Sequence, residues 1–208
     1  MSDASAFTEH WLTLAASLDI APDSAQSILD DLLDRHREPH RSYHTVEHIE
    51  AVIEHLHALD AATPTTILAA YFHDAIYDAT RPDNEARSAD LAVEVLAAVG
   101  LSNVNDVAAI IRATAGHQLP AGAPSDTAAF LDADLAILAA PPDVYDRYAL
   151  AIRAEYSHMS DVDFREGRAA VLAHFAEREQ LYFSAAGRAR FDQAARSNLA
   201  RELALLKT

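Results

Sequence analysis

Two runs of the chain place acid and imidazole groups where water should be scarce. The segment Thr65 to Thr80 reads TTILAAYFHDAIYDAT, apolar in almost every direction of a helical wheel, with His73 and Asp74 inside it and no Lys or Arg. A buried carboxylate without a partner costs several kcal/mol, roughly, unless it is protonated, hydrogen-bonded or metal-bound. Asp74 therefore requires an answering group from another element. The segment Ala128 to Ala140, AAFLDADLAILAA, repeats the anomaly with Asp132 and Asp134 and again no base. On a helix these two carboxylates point about 200° apart, so one interior site takes only one of them. The other is then left for solvent, a cap or a turn.

A third run, RSYHTVEHIEAV, carries His44 and His48 one helical turn apart. His48 flanks the apolar stripe Val46, Ile49, Val52, Ile53 and Leu56, whereas His44 precedes the candidate cap Thr45 and should line an opening. The pair can bind one metal or divide its work between ligation and proton transfer. Together His48, His73 and Asp74, with one of the later aspartates, form a nitrogen and oxygen donor set without sulfur. Such a set suits one divalent ion among Mn, Fe, Mg, Ni and Zn. A hydrogen-bonded polar core is the competing interpretation of the same residues. A di-iron arrangement through Glu54-x-x-His57 and Glu155-x-x-His158 is disfavoured, because Glu54 points away from the inner face of its helix.

Helices must position these groups. The 208 residues are rich in Ala, Leu, Glu and Arg, with 5 Gly and 8 Pro lying between periodic segments. Stripes at Phe7, Trp11, Leu14 and Leu18, and at Ile28, Leu29, Leu32 and Leu33, give the first two helices. Thr45 opens a third, and Thr63-Pro64 opens a fourth through about Tyr77. Asp83 and Asn103 are candidate caps of a fifth and sixth, with Gly100 between them as a stop. His117 to Asp126 reads as a loop. Further helices begin near Ala128, Pro142, Asp161 and Arg188. No segment alternates with period two. The expectation is one all-α domain over residues 1–208, a bundle of roughly nine or ten helices.

Composition narrows the partners. Sixteen basic residues stand against 32 acidic ones, a net charge of −16. A surface this acidic disfavours duplex nucleic acid and anionic membranes, but a metal or a local arginine admits a small phosphorylated substrate. No cysteine is present, which excludes a thiol nucleophile, a disulfide framework and a zinc finger. Lys207 is the only lysine, so there is no Walker-type phosphate loop. No apolar run reaches the length of a membrane span, and the N-terminus lacks the character of a signal peptide, which points to the cytoplasm. A homodimer is compatible with the sequence, although no apolar patch for it is legible.

The order His48, then His73-Asp74, then Asp134, on an all-α scaffold, resembles the HD-domain metal-dependent phosphohydrolases. RSYHTVEHI, YFHDAIYD, DNEARSA and LDADLAIL, together spanning about 41–138, are similar to segments of a bacterial subgroup of about this length that is identified as HD phosphohydrolases. The resemblance implies His48, His73, Asp74 and Asp134 as ligands of one divalent ion. It alone selects Asp134 over Asp132. Tyr43-His44 also looks like the start of the phosphodiesterase motif of that superfamily, which implies His44 as general acid. Asp74 would then orient the attacking water. Arg41, Asp78, Asn84, Glu85 and His117 are the candidate substrate contacts. The alternative for Asp78 and Asp83 to Glu85 is helix capping, and for Arg41 a solvated loop position. The implied reaction is hydrolysis of a small phosphate ester or nucleotide. A silent binding module on the same fold is the alternative.

Overall fold

A computed structural model describes residues 3–207, with side chains from residue 6. Ten α-helices run through these residues: α1 (Asp3–Ser17), α2 (Pro22–His36), α3 (Val46–Ala58), α4 (Pro64–Phe72), α5 (Asn84–Ala98), α6 (Val104–Thr114), α7 (Ser125–Asp134), α8 (Pro142–Glu155), α9 (Asp161–Glu177) and α10 (Ala185–Leu206). A 3-10 turn, Leu135–Ala139, follows α7, and no strand occurs among the described residues. The all-α bundle expected from the sequence is the one present. Among the described residues no helix is long and apolar enough to cross a membrane.

The most apolar segment takes the centre. In α4 every residue from Thr66 to Phe72 is buried, and α3, α5, α6 and α7 all pack on it. Its start has the predicted chemistry: the Thr63 hydroxyl accepts from the Thr66 amide at 3.3 Å, and Pro64 occupies the first turn. Outside this layer, α1 and α2 close one flank through Trp11, whose indole N–H donates to the Ala25 carbonyl at 2.8 Å. One continuous apolar cluster joins residues from Phe7 to Leu199. At about 1.5–3 kcal/mol for each large apolar side chain taken from water, this cluster is the main source of stability.

Four boundaries differ from the sequence expectation. Helix α4 ends at Phe72 instead of continuing to Tyr77, because the Ala75 amide takes the Phe72 carbonyl at 3.1 Å and the Ile76 amide donates instead to the Ser88 hydroxyl at 3.0 Å, while Arg41 fixes the turn that follows. The guanidinium donates to the Asp74 carbonyl at 2.7 Å and the Ala75 carbonyl at 3.2 Å. The run Ala128 to Ala140 is not one helix; it tightens to 3-10 after Asp134. Helices α7 and α10 begin three residues before their expected starts, at Ser125 and Ala185. The caps of α3, α5 and α6 fall at Thr45, Asp83 and Asn103 as expected, but none of the three side chains makes a capping bond. Asp83 pairs instead with Arg81, and Asn103 donates to Thr65 at 3.0 Å. Gly100 stops α5 in a left-handed conformation, φ +88°.

Candidate metal centre

Helix ends build the site. The first turn of α3 supplies His48, the turn leaving α4 supplies His73 and Asp74, and the last residue of α7 is Asp134. Two of these three ends are C-termini, whose carbonyl dipoles favour a cation. The Nε2 atoms of His48 and His73 lie 3.1 Å apart. Asp74 Oδ2 stands 3.0 Å from His73 Nε2 and 3.6 Å from His48 Nε2. Asp134 Oδ1 stands 3.2 Å from His48 Nε2 and 3.6 Å from His73 Nε2. The donor atoms of His48, His73 and Asp74 all fall within 4.8 Å of one another.

These separations suit a shared cation. Donors about 2.1 Å from a metal and 90–109° apart lie about 3.0–3.4 Å from each other. The imidazole of His73 is also set for the task. Its Nδ1–H donates to the Ala70 carbonyl at 2.9 Å, which leaves the Nε2 lone pair facing the cluster. Among the described residues, every ion pair of Asp74 and Asp134 is to a histidine. Without a metal, protons must fill its place. Burial opposes charge on His73, yet Asp74 and Asp134 hold its pKa well above the ordinary value. Burial pushes His48 down, and Asp134 restores it only in part. Burial would raise both carboxylates, but His73 and His44 hold Asp74 low, and bonds from His117, His48 and His73 hold Asp134 well below the usual range.

Beside this cluster sits His44, as the sequence places it, at a mouth just before α3. The residue that fixes it is Glu155, at the end of α8. Glu155 Oε1 accepts from the backbone amides of Ser42, Tyr43 and His44 at 2.8, 2.7 and 3.0 Å. Its Oε2 accepts from His44 Nδ1 at 2.7 Å and from the Tyr77 hydroxyl at 2.7 Å. The Tyr77 ring stacks on His44 at 4.2 Å. Burial opposes charge on His44, but Asp74 and then Glu155 more than offset it and raise its pKa. Burial likewise opposes the Glu155 carboxylate, but the bonds from His44 and the loop amides bring it down to about 2. An imidazolium with Nδ1 bound to Glu155 has its Nε2–H left for the cavity.

Both groups open onto a cavity of about 930 Å³. Asp74, Asp134 and His44 line it, and helices α8 and α9 contribute an apolar wall that includes Ile152, Phe164 and Phe175. Of the other predicted contacts, Asn84, Glu85 and His117 line the cavity. Asn84 is already occupied, holding the Asp78 amide and carbonyl at 3.1 and 3.0 Å. His117 Nε2 reaches Asp134 Oδ2 at 2.9 Å, from a left-handed backbone, φ +44°. Arg178 fastens that strained loop through the Gly116 carbonyl at 2.8 Å.

Two predicted contacts are placed otherwise. Arg41 is buried, and its donors go to Glu38 and to the carbonyls of His44, Asp74 and Ala75. It fixes the turn around Asp74 rather than lining the cavity. Asp78 turns its own loop, accepting from the Thr80 amide and hydroxyl at 2.9 and 2.6 Å. The Glu54-x-x-His57 pair stays on the outside, with both residues exposed, as its periodicity implies. Glu155 escapes the sequence argument as a partner of His44. A signal existed: Tyr145, Tyr148, Ile152 and Glu155 share one helical stripe, so a carboxylate continues an otherwise apolar and aromatic face. Comparison with protein-family models, curated proteins and solved structures returns no match.

Proposed function

We propose that this protein is a metal-dependent phosphohydrolase acting on a small phosphate ester or nucleotide, of the HD-domain kind that its motifs resemble. The observation that carries the reading is the juxtaposition of two chemistries on one cavity wall. A two-imidazole, two-carboxylate donor set lies beside a histidine whose pKa Asp74 and Glu155 raise against the opposing effect of burial. His48, His73, Asp74 and Asp134 would hold one divalent ion, which when bound supplies an acidified water and polarises a phosphoryl oxygen. The remaining work falls to the chain. Asp74, whose backbone Arg41 fixes, orients the nucleophile. His44 donates its Nε2 proton to the departing oxygen, with Glu155 holding the ring and stabilising its charge until that transfer. The apolar wall of α8 and α9 excludes water from the opposite side of the cavity.

The test is elemental metal analysis of protein purified without nickel resin or chelator, beside Asp74→Ala. About one equivalent of a divalent metal is expected in the wild type and little in the variant, with helical content retained. A phosphatase, phosphodiesterase and nucleotidase screen on the loaded protein should then give an activity that His44→Ala removes. Absence of metal binding after Mn, Fe, Mg and Zn have each been supplied would reduce the cluster to a buried polar network. Metal without turnover on any phosphate ester would make the protein a binding module.

A further inference from the structure

The cavity contains a cation that the proposed reaction does not use. Arg168, on α9, is buried and lines the same cavity as Asp74 and Asp134. Its Nε and Nη2 donate to Glu202 of α10 at 2.8 and 3.0 Å, and its Nη1 donates to the Tyr148 hydroxyl at 3.3 Å. Three of the five guanidinium N–H groups are thereby placed, and two remain. The Tyr148 hydroxyl accepts from Arg168, and its own proton is still available to a ligand. Glu202 is further locked by the Tyr145 hydroxyl at 2.5 Å.

The position sets Arg168 apart from the other arginines of this cavity. Arg81 is exposed and pairs with Asp83, while Arg178 holds the carbonyls of Gly116 and His117. Arg168 lies within the α8–α9 wall itself, held by Glu202 and Tyr148. A buried ion pair contributes little more than well-packed apolar residues would, so tying α9 to α10 does not by itself call for one. Aromatic contacts connect this cation to the metal centre. The Arg168 guanidinium lies over the Tyr148 ring at 5.1 Å, Tyr148 meets Tyr43 at 4.7 Å, and Tyr43 meets His48 at 4.7 Å.

We infer that Arg168 and Tyr148 form an anion subsite, so that the substrate carries a second anionic group, carboxylate or phosphoryl, beyond the phosphoryl group that reacts. This rests on the phosphohydrolase reading above and narrows its substrate class. A guanidinium held by Glu202 in a fixed orientation offers its remaining N–H groups without further ordering, which is the arrangement that favours oxyanion recognition.

Calorimetric titration of the metal-loaded protein tests this without any need for turnover. The probes are methylphosphonate, with one anionic group, and phosphonoacetate with its longer-chain homologues, with two. The wild type should bind at least one two-anion probe about 10- to 100-fold tighter than methylphosphonate. Arg168→Gln should collapse that ratio toward one, and Tyr148→Phe, which leaves the Arg168–Glu202 pair intact, should lower it severalfold. Equal affinity for all probes in the wild type, or a ratio that survives in both variants, would overturn the subsite while leaving the phosphohydrolase reading in place. If Arg168→Gln does not fold, Tyr148→Phe decides alone. Failure of methylphosphonate itself to bind in a metal-dependent way would instead remove the reading on which the subsite depends.

Discussion

Asp132 and Asp134 are two residues apart on one helix, both withdrawn from water and both without a basic neighbour in sequence, yet their surroundings differ in kind. Asp132 faces the start of α10. Its oxygens accept from the amides of Phe183 and Ser184 at 2.6 and 2.8 Å, and Gly187 packs against it so closely that a Cβ there would lie 2.1 Å from Oδ2. Asp134 faces three imidazoles. Backbone amides are fixed, neutral donors; imidazoles titrate and give up their protons to a cation. Burial therefore wins at Asp132 and raises its pKa, while at Asp134 the histidine bonds outweigh burial and hold it low. The two carboxylates differ in the exchangeability of their partners, not in their depth.

The largest expected effect breaks the pair apart. Asp134→Ala should weaken metal binding by at least ~100-fold and abolish the proposed metal-dependent hydrolysis. Asp132→Ala should retain the metal and lose about 3 kcal/mol of stability, since two amides at the start of α10 lose their acceptor. In a chain of this size that is a melting temperature lower by roughly 6–12 °C. Metal content and thermal melts of the two variants measure the split. Loss of metal in the Asp132 variant with retention in the Asp134 variant would invert the assignment.

Glu155 extends the comparison across the cavity, as a carboxylate that has both kinds of partner. Glu155→Gln keeps the acceptor for the loop amides but removes the charge that steadies protonated His44. Its rate should fall about 10- to 100-fold. The sign of the accompanying pH effect is definite. Glu155 raises the His44 pKa, so its loss lowers that pKa, and a general acid that deprotonates earlier moves the basic limb of kcat/KM to lower pH. An unchanged basic limb would leave Glu155 with only a structural part.

Next in size is Gly187→Ala. With Asp132 atoms the three nearest to the added methyl group, the cost should be about 1–3 kcal/mol. In the background of Asp132→Ala the same change should cost much less, and the non-additivity is read from a double-mutant cycle of denaturation midpoints.

The sequence carried most of this site and less of its support. His48, His73, Asp74 and His44 were legible because each is a polar group set against a helical apolar pattern, which local periodicity exposes. The opposed directions of Asp132 and Asp134 followed from the same geometry; which of them met the histidines did not, because that depends on what α3 and α10 bring to each side. Arg41 lies near His44 in sequence, but its action on the carbonyls past α4 depends on a contact with a distant segment. The premature end of α4 was illegible for the same reason, since nothing local in Phe72 to Tyr77 stops a helix. Glu155 and Arg168 are the strongest cases. Each lies outside the motif segments, and each acquires its part only when α8 or α9 folds back over the cavity.

The smallest effect is the most discriminating, because the two aspartates should leave opposite marks on stability as pH changes. Asp132 has a raised pKa, so the folded protein binds its proton more readily than the unfolded chain does. Its contribution to stability is greatest at low pH and declines as pH rises from the ordinary carboxylate value, about 4, through its own raised value. Asp134 has a lowered pKa, so its contribution is present above about 4 and is lost as pH falls below that. Urea unfolding of metal-free wild type, Asp132→Asn and Asp134→Asn across this range separates them. The stability difference between wild type and Asp132→Asn should shrink as pH rises above about 4, and that between wild type and Asp134→Asn should shrink as pH falls below it. Saturating metal should enlarge only the second difference, because binding to the folded state adds to whatever Asp134 already contributes there. Two differences running in the same direction would mean that both carboxylates answer to the same kind of partner, and the distinction between a structural and a metal-binding aspartate on α7 would fail.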